Sequence, residues 1–105
     1  MAARISKEEF EEKVIKNSLP VLVDFYSDSC VACKKLAPVL GGIEDDYKGQ
    51  IAIYKVNTGY EPELVEQYEI TANPTLLLIK NGDVLDRKTG AQSPVALEEW
   101  LKKYL

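Results

Sequence analysis

Two stretches of this chain leave little freedom in what it can fold into. Leu19 to Tyr26 reads Leu-Pro-Val-Leu-Val-Asp-Phe-Tyr, and Thr75 to Ile79 reads Thr-Leu-Leu-Leu-Ile. Both are apolar at odd and even positions alike. A β-strand points successive side chains to opposite faces, so such strands must be covered on both sides. The covering elements are legible around them. Ser6, with Glu9 three residues on, is a capping-box signal, and Phe10, Val14 and Ile15 follow at helical spacing, which predicts a helix over 7–17. Lys34 to Tyr47 predicts a second helix, kinked at Pro38 because proline lacks a backbone donor. Ile51 to Val56 predicts a strand, and Pro62 opens a short helix with Leu64, Val65 and Tyr68. Asn81-Gly82 is a favoured two-residue hairpin turn, returning a strand over 84–88. Ser93 caps a last helix with Pro94 in its first turn and Leu97, Trp100, Leu101 and Tyr104 on a core-facing side. A further edge strand fits at Ala3 to Ile5. The order predicts an α/β fold: a mixed sheet with helices on both sides, one domain over residues 1–105.

Composition narrows the function. The 105 residues suffice for one core, a chain of this size burying roughly two-thirds of its unfolded surface without staples. The 13 basic against 17 acidic side chains, net −4, argue against nucleic acid or an anionic membrane as partner. The Thr75–Ile79 run is too short to cross a bilayer, and Met1 to Glu9 has no apolar stretch like that of a signal peptide. The expected location is the cytoplasm, where structural disulfides are rare.

Both cysteines lie in Ser29-Cys30-Val31-Ala32-Cys33-Lys34. Structural zinc needs four ligands, usually Cys or His, and this chain has no histidine and no third cysteine. A staple closing so short a loop removes little unfolded-state entropy. Redox chemistry is the reading the position favours, because the pair sits where a buried strand hands over to a helix. The first turn of a helix has unpaired N–H groups and a positive dipole end, which favour a thiolate at Cys30. Asp24 interrupts a strand with no evident wet face. Either it is desolvated, with a raised pKa suited to accepting the Cys33 proton, or it lies at a solvated strand end.

The ordered landmarks resemble the thioredoxin family. They are Val-Asp-Phe before the site, Cys-x-x-Cys-Lys at 30–34, Ala37-Pro38, Lys55, Pro74-Thr75, Lys80-Asn81-Gly82 and Gly90-Ala91. The resemblance implies a thioredoxin fold, with a central mixed sheet of four or five strands flanked by four helices. It implies protein-disulfide reduction by thiol–disulfide exchange, with Cys30 attacking and Cys33 resolving, disulfide-containing proteins as substrates and a thioredoxin-reductase-type electron donor. It needs no cofactor or metal and suits a monomer. Asp24 matches the family's buried carboxylate. Lys55 matches the lysine near it, although an ordinary exposed strand lysine is the alternative. Pro74 matches a cis-proline beside the active disulfide, against a trans proline starting a strand. The backbone of Asn73 would then pair with an extended substrate.

The chain departs from the family pattern around the substrate-gripping surface. Val31 and Ala32 replace the usual Gly-Pro, Ser29 and Tyr26 replace tryptophans, and Asn73 and Thr89 stand where apolar residues are usual before Pro74 and Gly90. The expected substrate contacts are Val31, Ala32, Asn73, Pro74, Thr89 and Gly90, and the expected consequence is a different or narrower partner set. The alternatives on the same fold are a binding module in which exchange is incidental, an electron donor dedicated to one enzyme, and an oxidase or isomerase, which the expected cytoplasmic location argues against.

Overall fold

A computed structural model describes residues 2–105. Strand β1 (Ala3–Arg4) leads to helix α1 (Lys7–Phe10), which widens into a π-helical turn over Glu11–Ile15. Then come β2 (Val21–Tyr26), α2 (Val31–Asp46), β3 (Ala52–Asn57), α3 (Pro62–Gln67), β4 (Thr75–Lys80), β5 (Asp83–Thr89) and α4 (Pro94–Lys102). The five strands form one sheet in the order β1-β3-β2-β4-β5. β1, β3 and β2 run parallel, and β4 and β5 are each antiparallel to the neighbour before them.

The two doubly apolar strands are the central pair, as their sequence requires. Their odd and even residues enter separate cores. Val21, Val23 and Phe25 join Leu77 and Ile79 under Phe10, Val14 and Leu64, from α1, its π turn and α3. Leu22 joins Leu76, Leu78 and Ile53 under Leu36 and Leu40 of α2 and Leu97, Trp100 and Leu101 of α4. Burying both faces is the main term holding the sheet, at roughly 1.5–3 kcal/mol for each large apolar side chain.

Local signals act as the sequence predicts. Glu9 Oε1 accepts from the Ser6 backbone N–H at 3.0 Å, and Ser93 Oγ accepts from Ala96 N–H at 3.1 Å. Asn81 (φ 52°) and Gly82 (φ 83°) take the left-handed conformations that a tight hairpin turn demands. Three boundaries differ by two residues or more, and several others by one. β2 starts at Val21 because Pro20 cannot donate to a ladder; its carbonyl instead accepts from Ala52 N–H at 3.0 Å. The helix expected over 7–17 ends at Ile15, after Lys16 N–H bonds back to Glu11 O. α2 begins at Val31, three residues before the expected Lys34, and runs on through Pro38.

Candidate active site

The strand directions bring four chain segments to one edge of the sheet. Tyr26 ends β2 beside Asn57, which ends β3, while Thr75 begins β4 opposite Phe25 and pairs with Thr89, the end of β5. The loops leaving these ends carry Cys30, Thr58, Pro74 and Gly90. Gly90 N–H donates to Pro74 O at 2.8 Å, tying two of them together. Gly90 has φ 91°, a left-handed conformation that disfavours other residues there. The Asn73–Pro74 peptide bond is cis.

Cys30 is the N-cap of α2 and Cys33 lies in its first turn, joined to it by a disulfide. Cys33 N–H donates to Cys30 Sγ at 3.1 Å. A sulfur thus fills the capping place that oxygen side chains usually take. The two sulfurs differ in access: Cys30 is half-buried, whereas Cys33 is buried at 5 % exposure. Val31 projects beside them, 65 % exposed.

Asp24 lies on the α2 side of the sheet, because it shares its strand face with Leu22. It is 2 % exposed, and its Oδ1 has no hydrogen-bond partner among the described residues. Burial pushes its carboxyl from 3.8 up to about 7, opposed by the charge of Lys55. Lys55 is the register partner of Asp24 on the parallel strand β3 and is half-buried; its Nζ lies 4.9 Å from the Tyr26 ring centroid. A cavity of about 150 Å³ opens here, lined by Asp24, Tyr26, Ser27, Asp28, Cys33, Lys34, Ala37 and Lys55. Both Asp24 and Cys33 line it, and its volume exceeds what a single water needs. A larger depression of about 420 Å³ lies away from the cysteines, between the end of α2 and the β1–β3 edge.

The structure therefore brings Cys30, Cys33, Asp24 and Lys55 into one cluster, and the alternatives of a solvated aspartate and an isolated exposed lysine do not hold. Pro74, Gly90, Asn73 and Thr89 lie on the adjoining loops, with Val31 and Ala32 on the first turn of α2. Residues not singled out in the sequence complete the surroundings. Buried Asn57 donates through Nδ2 to Asp28 Oδ1 at 3.2 Å and accepts from Gly59 N–H at 2.9 Å. Tyr60 OH also reaches Asp28 Oδ2, at 3.4 Å, and Asn73 Nδ2 donates to Thr58 Oγ1 at 3.2 Å. The contacts of Asp28 with Asn57 and Tyr60 and of Thr58 with Asn73 join residues far apart in the sequence, so no local signal marks them; the Asn57–Gly59 turn alone is local.

Chemically, this is a dithiol–disulfide pair with one accessible sulfur, one sheltered sulfur, and a carboxyl able to hold or release a proton near neutral pH. Comparison with known proteins agrees. The thioredoxin family model matches residues 1–103. A thioredoxin of Rickettsia bellii is 38 % identical over 101 residues, covering 96 % of both chains. Thioredoxin 1 of a Nostoc species is 38 % identical over 104 residues, covering 99 % of this chain and 97 % of its own. A chloroplastic M-type thioredoxin of Spinacia oleracea is 37 % identical over 101 residues, 96 % of this chain and 56 % of the relative.

Proposed function

Because the chain belongs to the thioredoxin family and is a protein-disulfide oxidoreductase working through Cys30 and Cys33, we propose a specific division of labour within its site. The Cys30 thiolate attacks a substrate disulfide; a Cys30–substrate bond forms as the substrate S–S bond breaks, and one substrate thiolate leaves. Cys33 then passes its proton to the ionised Asp24, and its sulfur attacks Cys30. The second substrate thiolate leaves and the Cys30–Cys33 disulfide closes. Two electrons pass to the substrate, and its thiolates take up protons. Lys55 is a positioning residue that keeps the Asp24 carboxylate accessible by opposing the effect of burial.

The observation that carries this reading is the unpartnered Asp24 Oδ1 on a cavity that also reaches Cys33. A buried, unsatisfied carboxyl costs stability, so a proton-transfer role accounts for what packing does not. Asn73, Pro74, Thr89 and Gly90 form the rim on which an extended substrate backbone pairs, with Val31 and Ala32 across from them. Support comes from Asn73, whose backbone N–H and C=O have no partner among the described residues. No helix among the described residues is long and apolar enough to cross a membrane. The protein works in the cytoplasm as a monomer, recharged by a thioredoxin-reductase-type donor.

Trapping tests the reading. Cys33→Ser should accumulate a substrate mixed disulfide on Cys30 and lose multiple turnover, while Cys30→Ser should form none. Biological activity and partner binding retained in full by both variants, with disulfide turnover lost, would instead point to a binding module.

A further inference from the structure

The polar rim contains a hydrogen-bonded pair suited to reading a substrate side chain. Thr58 follows the end of β3, and its backbone N–H donates to Tyr26 O at 2.8 Å, fixing it beside the strand that leads to Cys30. Its loop is stiffened from below. Asn57 Oδ1 holds Gly59 N–H, Asn57 Nδ2 holds Asp28, and the Asn57 carbonyl accepts from the N–H groups of Tyr60 and Glu61, both at 3.1 Å. On this platform Thr58 Oγ1 accepts from Asn73 Nδ2 at 3.2 Å, which sets the orientation of the Asn73 amide. Both residues are half-buried, and neither Asn73 Oδ1 nor the Thr58 hydroxyl proton has a partner among the described residues.

We propose that Thr58 and Asn73 together form a specificity contact, selecting extended substrate segments that carry a hydrogen-bond-donating side chain next to the attacked cysteine. The inference rests on the disulfide-reductase reading and names its substrate class. The amide oxygen of Asn73 is a fixed acceptor beside the free backbone on which the substrate pairs. An apolar substrate side chain placed there would strip water from that oxygen without replacing the lost hydrogen bond. A donor such as Gln replaces it. The contact sits on a half-open surface, so discrimination is modest, about three- to tenfold in kcat/KM. Thr58 acts through Asn73: without its hydroxyl the amide is free to turn its NH₂ group outward and the preference falls.

The test uses the reduced full chain and disulfide-linked peptides with Gln or Leu immediately before or after the cysteine, with kcat/KM measured for each. The expected result is a preference for Gln of about three- to tenfold at one of the two positions. Asn73→Leu should abolish or reverse it, Thr58→Val should reduce it towards parity, and Thr58→Ser should retain it. Equal rates for Gln and Leu peptides in the unaltered protein, or a preference surviving Asn73→Leu, would overturn the proposal while leaving the reductase reading intact. Failure to reduce any peptide or a small aromatic disulfide would remove that premise, and this proposal with it.

Discussion

Replacing Asp24 by asparagine should stabilise the protein at alkaline pH, while slowing its chemistry. The folded state binds a proton at Asp24 more tightly than the unfolded chain, because burial raises the carboxyl from 3.8 to about 7. The stability owed to that proton is complete below pH 3.8. It falls by about 1.36 kcal/mol per pH unit up to about 7 and is lost above it. The full span is about 4 kcal/mol, of which about 3 kcal/mol falls between pH 5 and pH 9. Asparagine keeps the shape and removes the titration. Urea unfolding of the oxidised forms, whose thiols cannot titrate, isolates the effect because every other group is common to both proteins. Relative to the parent, the variant should gain about 3 kcal/mol between those two pH values. With an m-value of roughly 1–3 kcal/mol per M, the midpoint difference moves by about 1–3 M urea. A midpoint difference that stays constant from pH 5 to pH 9 would refute the reasoning, since it would mean that Asp24 carries no raised pKa in the fold. Lys55→Met should move the parent's loss to higher pH, because Lys55 opposes the effect of burial.

Further outcomes follow from the same geometry. The N–H of Ala32 has no partner among the described residues and lies in the first turn of α2. Ala32→Pro deletes this donor and should lower the reduction potential by about 10–30 mV in glutathione equilibration, since it removes support from the reduced thiolate; a rise would contradict this. Trp100 Nε1–H and Tyr104 OH each donate to Asp86 Oδ2 at 2.7 Å, and these bonds, with the Arg87 N–H, hold the Asp86 carboxyl down at about 2. Their stabilisation is present above the ordinary value of 3.8 and lost as pH falls through about 2. Asp86→Ala should lower Tm by a few degrees in calorimetry at neutral pH, with little change at pH 2. Trp100 does not line the Cys33 cavity, so its emission should respond weakly to reductant; a large change would contradict its placement. With Ser29, Asn73 and Thr89 in the rim, a thioredoxin reductase from a species whose thioredoxin has an apolar rim should reduce this protein slowly; full speed would argue that the rim is not read.

The fold was legible because its strongest signal is also its central element. A run such as Val21 to Phe25 has only one place in a layered protein, and the helices that must cover it announce themselves by period and cap. The start of α2 was hidden because an unusual group does a usual job there. The start of α2 is capped by the Cys30 sulfur, and capping rules look for oxygen. The cysteine pair, Asp24 and Pro74 were legible because each is chemically odd in its place, such as a carboxylate in an apolar strand or a proline before a buried one, whereas Lys55 came only with the family resemblance. The Asp28–Asn57 and Thr58–Asn73 contacts were not legible, since they join ordinary polar residues 29 and 15 positions apart. Asp86 was equally hidden. On an edge strand an aspartate reads as solvated, and its partners arrive only with α4.

The placement of Asp24 follows from strand register more than from the cysteine motif. Face alternation puts residue 24 with Leu22 on the side covered by α2, and parallel pairing sets Lys55 beside it. Because α2 begins directly after the loop leaving β2, its first turn, with Cys33, must lie over the end of that face. The reacting groups are therefore held by the most constrained part of the molecule, two central strands and one long helix. Apart from Tyr26, which ends β2 and lines the cavity of Asp24, the residues that depart from the family pattern lie instead at Ser29, on the first exposed turn of α2, and on the segments carrying Asn73 and Thr89. Changes there can alter which substrate is gripped without moving the sulfurs or the carboxyl. If that separation holds, exchanging Asn73 and Thr89 for apolar residues should change the rank order of protein substrates while leaving the pH dependence set by Asp24 in place. A parallel shift in that pH dependence would show that the rim and the proton site are coupled after all.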